Sequence, residues 1–443
     1  MESNITRRPD QSGYPLSHQQ VRFTANYTPE MLNKHVLPYS RDFNHAIDPG
    51  LLNQAYQHLL ATERYFRITL KFEKGQGEIT IKDKANDEIQ YVDFSTLGNQ
   101  AESQSDIYCQ ENELPILLDR APLCRMHLIK IASNRFRIFI VFHHFVSDTE
   151  SCHLFLTKLS EVYRSLKQQK ELNDHSDSID YLDYILWQKS VPPEGRDGKQ
   201  AAYWREKLSK SIIPELLIDS EDVSHVEDRR RKSLFVRLDS ELSFQMADYC
   251  KKQGILPVTF FLGVYFLSLR EWTGADDIPV ITVYKGRQES PLLKSVLGLF
   301  INLVILKHRF DQDLTFVKFF RKVQKELMMV HKNQGYPHYL VGRNLAAHTD
   351  FAFNFLNERG FDDLDKQPMP RKEWEYDNKR GELFLFSLIV HLSHNIRLEF
   401  QYPPFKFEKD TITHMIRGVE ETIRMVCTQD CDQEKEPMRE VAV

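Results

Sequence analysis

The chain has 443 residues, 41% of them hydrophobic and 27% charged, with a formal net charge of −5 and an isoelectric point near 6.4. That length exceeds one ordinary core and suits two lobes of roughly 200 residues each, while the charge excludes a general attraction to nucleic acid. The longest apolar run, Val258 to Leu269, is far too short to span a bilayer, and the opening MESNITRRPDQSGYPL lacks a signal-peptide core. Six cysteines (Cys109, Cys124, Cys152, Cys250, Cys427, Cys431) are scattered without disulfide or zinc spacing. These readings together place the protein in the reducing cytoplasm, with no membrane or nucleic-acid partner.

In chain order, residues 1–13 form a flexible N-terminus, and the folded part opens with Tyr14-Pro15-Leu16-Ser17-His18-Gln19-Gln20-Val21-Arg22-Phe23. Asn33 to Asp48 reads as strand, and Pro49 to Ala61 as an amphipathic helix with Leu51, Leu52, Ala55, Leu59 and Leu60 on one face. Gly75-Gln76-Gly77 marks a turn between the strands Ile68 to Phe72 and Glu78 to Lys82. Residues 122–129 and 136–142 predict an antiparallel pair turning at Ser133-Asn134. The second of these, FRIFIVF, is dense in aromatic and β-branched residues and fits a strand buried on both faces.

His143, His144 and Asp148 follow that strand directly, and imidazole and carboxylate on a rigid strand-end turn suit proton chemistry. Two packed core histidines and a metal site are the competing readings; neither an H-E-x-x-H nor a C-x-x-C stands near to support zinc. Ser151 to Lys167 is a helix, with Phe155, Leu159, Val162 and Leu166 at helical spacing. The polar run Gln168 to Ser178 sets a boundary between an N-terminal lobe, 14–178, and a C-terminal lobe, 179–428, with 429–443 a loose tail. Arg229 to Lys232 reads as a solvated loop before a strand, and Pro257 to Arg270 as a helix too apolar for the surface.

The H-H-x-x-x-D element resembles the H-H-x-x-x-D-G signature of the condensation domains of nonribosomal peptide synthetases, relatives of the chloramphenicol acetyltransferase-like acyltransferases. Other segments carry the likeness. Ser17, Gln20 and Arg22 match P-L-S-x-x-Q-x-R; Gly298, Phe300 and Asn302 match G-x-F-V-N-T; Gln334, Tyr336 and Pro337 match H-Q-D-Y-P-F-E; and Phe353-Asn354-Phe355 matches F-N-F. Thr149 stands where the family has glycine, and of R-H-E-x-L-R only Arg67 remains. The resemblance covers about residues 14–427.

It implies an α/β fold of two chloramphenicol acetyltransferase-like lobes in a V-shaped pseudo-dimer with a tunnel between them. It further implies His144 as the catalytic residue, His143 as a packed neighbour, and Asp148 as an orienting residue paired with Arg287 after the strand Ile278 to Tyr284. Ser17, Thr149, Asn302 and Asn354 are the tunnel-lining candidates, Asn302 being equally a turn cap. The activity implied is transfer of an acyl or peptidyl thioester from a separate carrier protein, through its phosphopantetheine arm, to an amine. The enzyme is expected to be a free-standing monomer, with no metal and no covalently bound cofactor. An alcohol acceptor giving an ester, a non-catalytic recruiting domain, and an epimerase of the same fold are the alternatives. No G-x-S-x-G stands in the chain, and direct transfer needs no acyl-enzyme.

Overall fold

The computed structural model describes residues 5–24, 32–73, 76–172, 178–190, 193–209, 214, 216, 218–219, 231–288, 290–310, 315–337, 340, 349–357, 373–378, 384–392 and 396–428. The fold divides into two units: one formed by Met1–Gly198, Lys285–Asn302 and Pro337–Tyr339, the other by Lys199–Tyr284, Leu303–Tyr336 and Leu340–Val443.

The first unit contains β1 (Tyr14–Pro15), α1 (His18–Thr24), β2 (Val36–Phe43), α2 (Pro49–Thr62), β3 (Ile68–Glu73), β4 (Gln76–Ile81), β5 (Gln90–Asp93), α3 (Ala101–Glu111), β6 (Cys124–Ala132), β7 (Arg135–His143), α4 (Thr149–Lys167) and α5 (Tyr181–Ser190). Its main sheet runs β2-β7-β6-β5, with β7 antiparallel to both neighbours. A smaller sheet runs β1-β4-β3. Ile138, Phe139, Ile140, Val141 and Phe142 are all buried, as the unbroken apolar run of β7 requires of a strand covered on both faces. Phe155 locks α4 onto this strand: its ring meets Phe142 at 5.4 Å, and Tyr56 of α2 at 6.3 Å, both edge to face.

Helix α6 (Pro193–Leu208) runs from the first unit into the second. The second unit has β8 (Arg231–Arg237), α7 (Ser240–Gln253), α8 (Pro257–Thr273), β9 (Asp277–Tyr284), β10 (Asn302–Arg309), α9 (Phe316–Lys332), β11 (Phe351–Asn357), β12 (Glu373–Asn378), β13 (Phe386–Leu392), β14 (Ile396–Tyr402) and α10 (Lys409–Thr428). These strands form one sheet in the order β10-β9-β11-β13-β14-β8-β12. β11 is parallel to β9 and β13, whereas β13-β14, β14-β8 and β8-β12 are antiparallel. Helix α8 is buried almost throughout: Tyr265 stacks on Phe353, and its hydroxyl donates to the Phe386 carbonyl at 3.2 Å. Trp204 is likewise core, 2% exposed, with its indole N–H on the Asn333 carbonyl.

Past the expected lobe boundary at 178, α5 packs in the first unit, where Tyr181 and Tyr184 close on the ring of Phe300, at 5.2 and 4.8 Å. One expectation needs correction. Arg231, expected in a solvated loop, begins β8 and is 3% exposed, since β8 lies between β14 and β12; its guanidinium donates to the Gln401 carbonyl. Arg229, Arg230 and the tail from Gln429 lie outside the described residues.

Candidate active site

The loop that leaves β7 is held by its own backbone. The His143 carbonyl accepts from Val146 N–H at 3.2 Å, and the His144 N–H donates to the His35 carbonyl at 2.8 Å. The two histidines are held in opposite tautomers. His143 is fully buried and its Nδ1 accepts from Phe145 N–H at 3.0 Å, so its proton sits on Nε2. Burial, with His144 and His35 close by, pushes the His143 pKa down to about 3. His144 is half-buried, and its Nδ1 lies 2.8 Å from the Ser147 carbonyl. A carbonyl only accepts, so the neutral ring carries its proton on Nδ1 and its basic lone pair on Nε2. That is the arrangement a proton acceptor needs.

Asp148 is turned into the protein. It is fully buried and caps α4, with Oδ1 accepting from Ser151 N–H at 2.8 Å. Arg287 holds the same carboxylate at both oxygens, Nη1 to Oδ2 at 2.9 Å and Nη2 to Oδ1 at 3.0 Å, and Phe300 N–H donates to Oδ2 at 3.0 Å. Arg287 is 6% exposed, and its guanidinium carbon sits 4.3 Å over the Phe300 ring. The resemblance thus paired two residues that the structure brings together. Their pairing does not reach across to the second unit, as the sequence suggested, because the Lys285–Asn302 segment belongs to the first.

Several groups that support this pair were not picked out from the sequence. Ser151 Oγ receives Arg287 Nη2 at 2.7 Å and Gly298 N–H at 3.0 Å, while donating to the Gly298 carbonyl at 2.7 Å. Tyr181 donates to the Leu299 carbonyl at 2.8 Å. Gly298 is required because a Cβ there would stand 2.2 Å from the Tyr181 ring. Gly286, with φ +68°, would place a Cβ 1.8 Å from the Phe300 oxygen, so the strand-to-Arg287 turn tolerates no side chain.

The tunnel-lining candidates are placed differently from one another. Ser17 has no exposed surface. Its hydroxyl accepts from Gln20 N–H at 3.1 Å while Gln20 Oε1 accepts from Ser17 N–H at 2.9 Å, a reciprocal cap of α1. Ser17 also bonds Tyr181 Oη, and Gln20 Nε2 donates to the Phe145 carbonyl, so this first motif props up the histidine loop from behind. Thr149 is exposed and opens α4; among the described non-glycine residues the positive φ belongs to Gln169, so position 149 does not need glycine's freedom. Asn302 is 8% exposed at the start of β10. Asn354, half-buried in β11, accepts from Phe355 N–H and lies in the second unit. The Arg22 side chain lies outside the described residues.

The segment that departs from R-H-E-x-L-R carries its own solution. Arg64, 5% exposed, donates to Asp180 at 2.5 Å and Asp183 at 3.2 Å and also pairs with Asp10, tying α5 and the N-terminal residues to the end of α2. Among the described residues, no group of three or more His, Cys, Asp or Glu side chains could hold a metal ion. No single described helix is long and apolar enough to cross a membrane.

Two mixed α/β units, one ending its central strand in His-His-x-x-x-Asp, define a chloramphenicol acetyltransferase-like fold. The family model for the Condensation domain matches residues 10–440, and the chain belongs to that family. Similar curated proteins include bacitracin synthase 2 of Bacillus licheniformis, 23% identical over 92% of this chain, and tyrocidine synthase 2 of Brevibacillus parabrevis, 26% identical over 93%. The chain spans 16% and 11% of their lengths. Among solved structures, SgcC5 of Streptomyces globisporus aligns over 96% of this chain and 100% of its own, with TM-score 0.78 and 14% identity. The four-domain nonribosomal peptide synthetase AB3403 aligns over 96% of this chain and 34% of its own, with TM-score 0.76 and 16% identity.

Proposed function

We propose that this condensation domain joins an acyl or peptidyl group, delivered as a thioester on the phosphopantetheine arm of a carrier protein, to an amine, with His144 as the catalytic residue. The amine nitrogen attacks the thioester carbonyl, the C–N bond forms and the C–S bond breaks. The amine's proton passes to His144 Nε2 and on to the departing thiolate, leaving an amide and a free thiol. General-base help of this kind contributes roughly 10²–10⁴ in rate. Holding donor and acceptor together offsets several kcal/mol of entropy besides.

The observation that carries the reading is the hydrogen bond from His144 Nδ1 to the Ser147 carbonyl, which leaves the lone pair on Nε2. The orientation of Asp148 supports it. A carboxylate beside the ring would favour imidazolium, which cannot accept a proton; committed to Arg287, Ser151 and Phe300, it holds the loop instead.

The test is to incubate the protein with acyl-loaded carrier proteins and a panel of amines, following carrier mass and product by mass spectrometry. Amide formation in the wild type, and its loss in folded His144→Ala, are expected. Acyl release only to water, or amide formation undiminished in His144→Ala, would overturn the assignment.

A further inference from the structure

The second unit contains a cavity of about 440 Å³ at the C-terminal ends of β9 and β11, beside the start of α8 and the end of α9. This lies within the roughly 300–1,000 Å³ typical of small-molecule sites. Its walls are apolar: Leu256, Val258, Leu327, Met328, Phe353 and Phe355. Leu256 and Met328 are 57% and 56% exposed, large apolar side chains left in water at its edge.

Polar features converge on it. Thr259 lines the cavity, is itself fully buried, and its hydroxyl has no hydrogen-bond partner among the described residues. A buried hydroxyl left unmatched is destabilising, a cost that a bound partner would remove. Thr259 lies in the first turn of α8, whose N-cap, Leu256, supplies no capping side chain. The first N–H groups of that helix therefore present partial positive charge. His331 and Lys332 are lining residues too, and among the described residues no Asp or Glu lines the cavity.

From these features we propose that the cavity binds a small apolar molecule bearing a single carboxylate. Its tail occupies the Leu, Met and Phe walls, and its carboxylate accepts from the Thr259 hydroxyl beneath the positive end of α8, with Lys332 supplying the counter-charge. The proposal does not rest on the condensation reading, since binding is measured without carrier or acceptor.

Octanoate is the probe, titrated into the full chain by calorimetry with thermal unfolding alongside. Octanoate is expected to bind one to one and raise the melting temperature, and octan-1-ol to bind at least about tenfold more weakly. Thr259→Val should have opposite effects in the two assays. Without ligand it should melt higher, because the unmatched hydroxyl is gone, while its affinity for octanoate falls about tenfold; a merely structural threonine would not produce that split. Lys332→Gln, a surface change, should also weaken octanoate without altering the unliganded melting temperature. Absence of octanoate binding at millimolar concentration, equal affinity for octanoate and octanol, or unchanged affinity in Thr259→Val would each overturn the proposal.

Discussion

The bond between Asp148 and Arg287 can be tested by a double-mutant cycle. Arg287→Ala removes both guanidinium bonds to Asp148 and the one to Ser151 Oγ, leaving a fully buried carboxylate with only the Ser151 and Phe300 N–H groups. Breaking a buried pair this way costs roughly 3–5 kcal/mol, because one charge stays uncompensated. Asp148→Ala costs a similar amount, since it also removes the α4 cap, itself worth about 1 kcal/mol. In a unit of roughly 200 residues each kcal/mol lowers the melting temperature by about 2–4 °C, so each single mutant should melt roughly 6–20 °C lower. The double mutant strands no charge and should fall short of the sum by about 1–3 kcal/mol. Urea unfolding of the four proteins reads this directly. Strict additivity would refute the idea that the two groups act as one anchor.

Acid should destabilise the protein through its neutral buried histidines. Burial pushes His127 down to about 4 and His143 to about 3, whereas the unfolded chain takes up those protons near roughly 6.5. Between those values the unfolded state binds more protons, so stability falls with falling pH by up to roughly 1.4 kcal/mol per unit for each ring. His127→Phe should remove its share of that slope in urea titrations between neutral and mildly acidic pH; an unchanged slope would contradict the burial argument. Gly286→Ala, which combines positive φ with a clash on the Phe300 oxygen, should cost at least about 2 kcal/mol in the same assay. Thr149→Gly should leave turnover within a few-fold of wild type and cost at most about 1 kcal/mol, because position 149 already has ordinary helical backbone. A large gain in turnover would show that the threonine side chain obstructs the reaction.

The parts of this site legible in the sequence were those with a dense local signal. The apolar run of β7, the two histidines after it and the Phe155 stripe of α4 carry their own periodicity, and their places in the fold follow from it. The partner of Asp148 lies 139 residues away, and no local pattern could identify Arg287; only the family likeness did. Ser151 and Tyr181 looked like ordinary helix positions, because their hydrogen bonds to Gly298 and Leu299 exist only once the 285–302 segment folds back. The capping role of Ser17 was legible in its S-x-x-Q spacing, whereas its bond to Tyr181 joins residues 164 apart and was not. Short strands such as β5, with largely exposed residues, carry no periodic signal. The amphipathic face of α9 (Phe316, Phe319, Phe320, Val323) was there to be read and was not.

The most direct test of the account is the single-turnover rate of amide formation with a loaded carrier and saturating amine, measured for wild type, His144→Ala and Asp148→Asn. If Nε2 of His144 carries the proton, His144→Ala should lose about 10²–10⁴ in rate while its melting temperature stays near wild type. Asp148→Asn should instead lose stability first, with activity following the folded fraction. A folded His144→Ala protein that condenses donor and amine at the wild-type rate would contradict the central claim.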